Sequence, residues 1–162
     1  GVALRLLKTP RDSGEAQPRG KSLAYANSLI AWREKQSHKG VDEGLMLSTD
    51  GFVCEGVTCN IFWIQNGALY TPAVETGLLP GVHRAYLLEL AESLGMSVQE
   101  GAYDWQALLR AEAILTINAA TGPREVGTLL DREGRCAWRA NAIAPAACKR
   151  LVSAYRESLP QV

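Results

Sequence analysis

The sequence predicts a mixed α/β (α+β) domain, with a largely antiparallel sheet or barrel at its centre and helices on its flanks. Three observations predict it: turn dipeptides set between β-rich runs, helical patterns that alternate with strands, and a composition typical of one globular domain. The chain has 162 residues, of which 47% are hydrophobic and 21% are charged. A chain of this length can bury a sizeable hydrophobic core.

The opening residues and the first helix come first in chain order. Residues 1–20 are rich in Pro, Gly and Arg, and they read as a connector with a possible strand in "VALRLL". From Ser22 to about His38, apolar residues recur at helical spacing and Gly40 follows as a stop. The spacing predicts a helix whose apolar positions are Leu23, Ala26, Leu29, Ile30 and Trp32.

A meander of antiparallel strands is expected next. Asp50-Gly51 and Asn66-Gly67 are hairpin dipeptides, and β-rich runs lie on both sides of each. The predicted strands are Leu45 to Leu47, Phe52 to Glu55, Asn60 to Ile64 and Ala68 to Thr71.

The second half of the chain alternates helices and strands. Pro80-Gly81 introduces a helix that Gly95 ends, and a last helix is expected near Ala142 to Ser158. Between them we predict a strand in "MSVQEGAY", a short helix in "DWQALLRA", a strand in "EAILTIN", a loop in "AATGPREVGTL" and a pair of short strands around Asp131 to Gly134.

Charge and composition restrict the class of partner. Lys and Arg together number 17, as do Asp and Glu, so the basic excess that usually accompanies nucleic-acid or anionic-membrane binding is missing. No apolar run approaches the roughly 18 residues of a membrane span, and the first residues lack the apolar region of a signal peptide. We therefore expect a cytoplasmic protein that binds neither nucleic acid nor membrane.

The cysteines indicate inert thiols. They form no CxxC pair, and the two histidines do not complete a zinc-ligand spacing, so no metal site is predicted. A disulfide framework is the minor alternative, because a domain of this size does not need covalent cross-links. The residues concerned are Cys54, Cys59, Cys136, Cys148, His38 and His83.

Four features carry residue types suited to catalysis: Lys21 before a helix, Glu55 at the end of a β-run, the turn "GLLPGVHR" and the strand end "TINAATG". A partly desolvated lysine can bond covalently to an aldehyde, and free N–H groups at a helix start suit a phosphate. A carboxylate beside a pyridine nitrogen keeps that nitrogen protonated. Taken one at a time, each feature also fits an ordinary role: a solvated lysine, a plain Pro-Gly turn, or a charge at a strand end.

Together the motifs resemble a known family. K-x3-Y from Lys21, D-G-x-V-x-E-G-x-x-x-N-I-F from Asp50, L-Y-T-P from Leu69 and L-P-G-V from Leu79 stand in the same order as in the class IV aminotransferases, the pyridoxal-phosphate enzymes of fold type IV. The resemblance runs from about Gly20 to Asn118. It implies the C-terminal domain of the D-amino-acid aminotransferase-like fold, with pyridoxal 5'-phosphate as cofactor.

The resemblance also implies roles for individual residues. Lys21 matches the catalytic lysine that binds the cofactor covalently, and Glu55 matches the glutamate on the pyridine nitrogen. Tyr25 matches a tyrosine on the cofactor's phenolic oxygen, and Leu79 matches the residue packed on the ring. Asn60 matches an asparagine that supports the glutamate, although a plain hydrogen bond at a sheet end is an equal alternative.

The resemblance is looser at the residues that match the family's phosphate-binding positions. Val82 and His83, after Gly81, match the phosphate-binding backbone, and Asn118 matches a second polar phosphate contact. Where many family members have Thr or Ser, this chain has His83, so an imidazole replaces the hydroxyl contact. The loop after Asn118 follows the family pattern loosely.

Domain boundaries follow from the same comparison of motifs. We expect residues 1–20 to be an interdomain connector and residues 21–162 to be the C-terminal cofactor-binding domain. Family members also carry an N-terminal domain that supplies a phosphate-binding arginine and part of the substrate wall. The resemblance therefore implies that this domain is absent, and that the chain alone is inactive.

The function implied for the whole protein is that of 4-amino-4-deoxychorismate lyase, which releases pyruvate and leaves 4-aminobenzoate for folate synthesis. Asn118-Ala119 favours this branch, whereas branched-chain aminotransferases tend to have Gly-Thr-Ala at this turn. The alternatives are an aminotransferase acting on branched-chain or D-amino acids, and a truncated domain without catalysis. A small amino-acid or aminodeoxychorismate substrate and a homodimer are the partners that the resemblance implies.

Overall fold

The computed structural model describes residues 1–11 and 25–158. The described strands are β1 (Val2–Leu6), β2 (Glu43–Leu47), β3 (Val53–Gly56), β4 (Asn60–Gln65), β5 (Ala68–Pro72), β6 (Val98–Gly101), β7 (Ala113–Asn118), β8 (Gly122–Leu130) and β9 (Cys136–Arg139). The described helices are α1 (Tyr25–Gln36), α2 (Val82–Ser93) and α3 (Ala146–Ser158), with short 3₁₀ helices at Val74–Thr76 and Trp105–Arg110.

The strands form one curled, mixed sheet. Its order is β3-β2-β1-β8-β7-β4-β5-β6, and β9 pairs with β8 beside this path. The pairs β1–β2, β1–β8 and β5–β6 are parallel, and the other pairs are antiparallel. The curl brings β3 against β4 and β5. The predicted mixed fold with a largely antiparallel sheet and flanking helices is confirmed.

Both faces of the sheet are covered, which explains the continuous apolar run in β4. Side chains alternate between the two faces of a strand, so Ile61 and Trp63 join one core cluster while Phe62 and Ile64 join the other. The second cluster fills the space between the sheet and the helices α2 and α3. A strand buried on both faces is apolar at successive positions, as parallel and mixed sheets often require.

The hairpin between β4 and β5 forms as its dipeptide predicts. Asn66 and Gly67 have φ angles of 51° and 73°, the left-handed values that a two-residue turn of this type needs. The predicted opening strand and the first four strands of the meander are also present, with ends shifted by one or two residues.

Two elements differ from the sequence-based expectation. The segment "AATGPREVGTL", predicted as a loop, contains most of β8, which pairs with β7 on one side and β1 on the other. Its buried positions Pro123, Val126 and Leu129 do not alternate, and it contains proline and glycine, so no strand pattern shows in the sequence. The turn at Asp131–Gly134 joins this strand to β9, and α3 begins after Pro145 instead of at Ala142.

Helix α1 has an unusual apolar face. Its described part confirms a helix, and it ends at Gln36, two residues before the predicted end. Ala31 is buried, yet the larger side chains of Leu29, Ile30 and Trp32 are 43%, 57% and 43% exposed. The periodicity therefore identified the helix but not a buried face. None of the helices in the described ranges is long and apolar enough to span a bilayer.

Candidate functional site

A cleft of about 610 Å³ opens between the end of β3, the turn after β7 and the start of α2. The curl of the sheet creates it, because β3 and β7 lie far apart in the strand order but end near the same helix. Seven of the residues selected from the sequence line this cleft: Glu55, Asn60, Leu79, Gly81, Val82, His83 and Asn118.

Glu55 is the charged centre of the cleft. It stands near the end of β3 and is only 6% exposed. One carboxylate oxygen lies 3.0 Å from Nε of Arg11. The other accepts a hydrogen bond of 3.0 Å from the backbone N–H of Leu79 and a longer one of 3.4 Å from Nδ2 of Asn60. Three donors from three separate parts of the chain therefore orient this carboxylate.

The charge of Glu55 is finely balanced. Burial outweighs the Arg11 guanidinium and the Leu79 N–H, which lower the pKa of this carboxyl group, and the pKa is raised to about 7. A carboxyl group with this pKa changes protonation state near neutrality, and a cationic neighbour favours its ionised form. Glu55 can thus present a carboxylate to a protonated nitrogen in the cleft.

Arg11 is a site residue that the sequence analysis missed. Its side chain is about one-tenth exposed, and besides Glu55 it donates to the carbonyl of Gly77 and to Oγ of Ser28, each at 3.3 Å. It lies in a Pro- and Gly-rich segment without periodicity, so no pattern in the sequence marks it. The one hint in the sequence is that Arg11 is a charged residue shortly after the strand predicted in "VALRLL".

Asn60 connects Glu55 to the turn before α2. Its Nδ2 donates to the carbonyl of Leu79 at 2.9 Å as well as to Glu55. Its Oδ1 lies so close to Gly81 that a Cβ atom at that position would clash with it. A side chain at Gly81 would therefore push the start of the helix away from the glutamate. Asn60 thus contacts both the glutamate and the turn, its supporting role stays a prediction, and Gly81 is needed for close approach.

The start of α2 forms the opposite wall of the cleft. Gly81 precedes the helix with extended backbone, and Val82 is 83% exposed at its first position. The N–H groups of Val82 and His83 have no partner within the helix, as for any helix start, and bond to no other group among the described residues. The His83 side chain instead contacts Tyr155 of α3 through its Nδ1.

Asn118 shapes the turn between β7 and β8. Its Oδ1 accepts hydrogen bonds from the N–H groups of Ala120 and Thr121, at 3.0 and 2.9 Å, and its Nδ2 donates to the carbonyl of Thr58 at 3.2 Å. The side chain is thus already bonded within the protein. Its phosphate contact stays a prediction. In the structure, its hydrogen bonds hold the turn against the β3–β4 loop.

Two of the selected residues cannot be placed. Lys21 lies outside the described residues, and Tyr25 is described only through its backbone, as the first residue of α1. Their roles stay predictions from the sequence. Leu79 does line the cleft, and its backbone contributes directly by donating to Glu55.

Comparison with known proteins now gives the family. The family model described as amino-transferase class IV matches residues 2–128 of the chain. The chain therefore belongs to the class IV aminotransferase family.

Two curated relatives represent two different reactions within that family. The chain is 36% identical over 115 residues to the aminodeoxychorismate lyase of Bacillus subtilis (strain 168), with 71% of this chain and 39% of the relative covered. It is 33% identical over 115 residues to the branched-chain-amino-acid aminotransferase of Escherichia coli (strain K12), with 69% and 37% covered. Family membership by itself does not choose between lyase and aminotransferase.

Solved structures agree with both the family and the fold. A protein from Legionella pneumophila provisionally named 4-amino-4-deoxychorismate lyase superposes with a TM-score of 0.82 at 30% identity, covering 96% of this chain and 55% of that one. The branched-chain aminotransferase of Thermobaculum terrenum, solved in its PLP form, gives 0.81 at 26% identity, with 96% and 50% covered. The chain thus spans about two fifths of the curated relatives and about half of these structures.

Proposed function

We propose that this chain is the cofactor-binding part of a pyridoxal-phosphate enzyme that acts as a 4-amino-4-deoxychorismate lyase. The observation that carries the proposal is the buried Glu55 carboxylate, held by Arg11 and the Leu79 N–H and facing a cleft whose far wall is a helix start. A planar cationic ring with a phosphate at its other end suits both walls of this cleft.

The residues fit the cofactor in two respects. Glu55 supplies an anion for the pyridine nitrogen, and the free N–H groups of Val82 and His83 supply donors for the phosphate. The close approach at Gly81, where a Cβ would meet Asn60, keeps these two walls near each other. When bound, the cofactor supplies an electron sink for the reaction at the substrate's α-carbon.

The roles of this chain's own residues follow from their chemistry. Glu55 would keep the pyridine nitrogen protonated, and Arg11 would favour the ionised form of that glutamate. Lys21 would hold the cofactor covalently and then move the proton at the substrate's α-carbon. Leu79 would cover one face of the ring, and Asn118 would hold the turn at the phosphate side.

The lyase is preferred for two reasons. Asn118-Ala119 follows the lyase pattern at this turn, and the Bacillus subtilis lyase is 36% identical to this chain, against 35% for a Methanocaldococcus jannaschii protein provisionally named a branched-chain-amino-acid aminotransferase. Aminotransfer to a 2-oxo acid is the second candidate, since the branched-chain aminotransferase is 33% identical over a similar span. Formation of 4-aminobenzoate and pyruvate from aminodeoxychorismate, compared with transfer from branched-chain and D-amino acids to 2-oxoglutarate, distinguishes them.

Covalent attachment tests the proposal at its first step. Pyridoxal phosphate is added to the chain, the adduct is fixed with borohydride, and its position is read by peptide mass spectrometry. We expect the label on Lys21 and its loss in Lys21→Ala. Lys39→Ala is the matched control. It removes an exposed lysine after α1, and this variant should keep the label on Lys21. Labelling that survives in Lys21→Ala would contradict the assignment and favour the domain without catalysis.

A homodimer remains part of the proposal. The exposed side chains of Leu29, Ile30 and Trp32 on α1 provide apolar surface of the kind that protein interfaces cover. Sedimentation at several concentrations would measure the association. Replacing Ile30 with Glu should weaken it if this face is the contact.

A further inference from the structure

His83 and Tyr155 form a contact that connects the start of α2 to α3. His83 is the second residue of α2, and its Nδ1 lies at hydrogen-bond distance from the Tyr155 hydroxyl, 72 positions along the chain. The two rings are 6.1 Å apart between centroids. The contact is therefore a specific side-chain interaction at the helix start that forms one wall of the cleft.

Tyr155 is well placed to fix the imidazole. It is 1% exposed within the core between the sheet and the helices, and its ring packs edge-on against Tyr86 and close to Gly122. His83 is the hydrogen-bond partner of its hydroxyl among the described residues. Burial raises the pKa of Tyr155, so the phenol keeps its proton at neutral pH and has one to donate.

The direction of this hydrogen bond determines which imidazole nitrogen carries a proton. A hydroxyl that donates to Nδ1 requires Nδ1 to be the acceptor, so the neutral ring carries its proton on Nε2. His83 lines the cleft, and its Nε2 has no hydrogen-bond partner in the described part of the chain. With the Tyr155 hydroxyl as the donor, the ring keeps one free N–H donor, Nε2–H, in addition to the free backbone N–H groups of Val82 and His83.

We propose that the imidazole of His83 binds the phosphate of the cofactor through Nε2–H, and that Tyr155 is the positioning residue that sets this tautomer. The inference rests on the proposed cofactor. It explains how a chain with a histidine in place of the hydroxyl residue expected at this position still offers a side-chain donor. Tyr155 acts through His83 and does not touch the phosphate.

The tautomer can be measured without any cofactor. Histidine labelled with ¹⁵N gives distinct long-range proton–nitrogen correlations for the two tautomers, and only His38 and His83 contribute signals. The spectra are recorded at mildly alkaline pH. We expect His83 in the Nε2–H form, and a mixture of both forms in Tyr155→Phe. An Nδ1–H ring in the unmodified chain, or an unchanged spectrum in Tyr155→Phe, would overturn the positioning role.

Binding then tests the donor itself. The dissociation constants of pyridoxal phosphate and of pyridoxal, which lacks the phosphate, are compared by absorbance titration. His83→Val should weaken pyridoxal phosphate about tenfold, the effect of losing one hydrogen bond to a charged group, and leave pyridoxal unchanged. His83→Thr, in which a hydroxyl stands in place of one methyl group of valine, should recover most of the loss. His38→Ala is the control and should bind like the unmodified chain.

The outcomes separate the two proposals. If the unmodified chain does not prefer pyridoxal phosphate to pyridoxal, the proposed cofactor site is wrong. If it does, and His83→Val binds as well as His83→Thr, only the role of His83 is wrong. Thermal unfolding of each variant shows whether it is folded. The NMR measurement uses the unmodified chain and Tyr155→Phe, so it decides the tautomer even if His83→Val does not fold.

Discussion

Glu43 and Glu55 are equally buried, at 8% and 6% exposure, but their surroundings differ. Glu43 begins β2 and accepts hydrogen bonds from neutral groups: the N–H groups of Gly44 and Val57 and the hydroxyl of Thr58. Glu55 faces the cleft and is paired with Arg11. Burial of a carboxylate therefore does not identify a functional site; the charge of its partner and its access to a cleft do.

The difference has a physical basis. Neutral donors from Gly44 and from the loop between β3 and β4 fix Glu43 in a structural role, in which it closes that loop against β2. Glu55 is held mainly by Arg11 and Leu79, which come from two segments distant in the sequence, and burial raises its pKa to about 7. One carboxylate holds a loop, whereas the other is poised to interact with a ligand.

The largest effect is expected from removing the cation beside Glu55. Arg11→Met leaves a buried carboxylate without its charged partner, which should lower the free energy of unfolding by about 3 to 4 kcal/mol at pH 8. At pH 5 the carboxyl group takes up a proton, and the loss should be much smaller. Chemical denaturation at both pH values measures it, with Arg11→Lys as the variant that keeps the charge. An equal loss at both pH values would mean that Arg11 acts through its bonds to Gly77 and Ser28 instead.

Glu43 should behave differently. Glu43→Ala leaves two N–H groups and a hydroxyl without their acceptor, and we expect a loss of about 2 to 3 kcal/mol. Because the partners are neutral, Glu43→Gln, which keeps an acceptor oxygen, should recover part of that loss. Denaturation of the two variants side by side tests this. A glutamine variant as unstable as the alanine variant would show that the charge of Glu43 matters after all.

The pH dependence of stability should isolate Glu55. A carboxyl group whose folded pKa is raised stabilises the fold while it is protonated in the folded state, and this contribution is lost as the pH rises through the folded pKa. Relative to Glu55→Gln, the cofactor-free chain should lose about 2 kcal/mol of stability between pH 5 and pH 8, given a folded pKa of about 7. A difference that stays flat across this range would contradict the raised pKa.

Glu55→Gln is expected to affect cofactor attachment least and enzyme turnover most. Glu55→Gln should still allow covalent attachment of the cofactor at Lys21, because attachment does not use the glutamate. Turnover in the whole enzyme should fall strongly, since a neutral amide cannot keep the pyridine nitrogen protonated. Steady-state kinetics measures this, and Glu43→Gln is the matched control. Unchanged turnover would remove Glu55 from the mechanism.

Much of the site could be predicted from the sequence because its motifs are local. Glu55 lies five residues before Asn60, and Gly81, Val82 and His83 are consecutive, so their relative positions depend on one hairpin region and one helix start. The turn dipeptides likewise act through the backbone of adjacent residues. The strand β8 escaped prediction because its pairing with β1 and β7, and not its own pattern, makes it a strand.

By itself, the sequence determined that the helices exist, where the β4–β5 hairpin turns, the family motifs, and several of the residues that line the cleft around Glu55 and the start of α2. Only the tertiary structure decided that Arg11 pairs with Glu55, that Tyr155 engages His83, and that the apolar side chains of α1 remain exposed. The physical reason is the range of the interactions. Turns and helix starts depend on neighbouring residues, whereas these contacts exist only after the sheet has curled and the helices have packed against it.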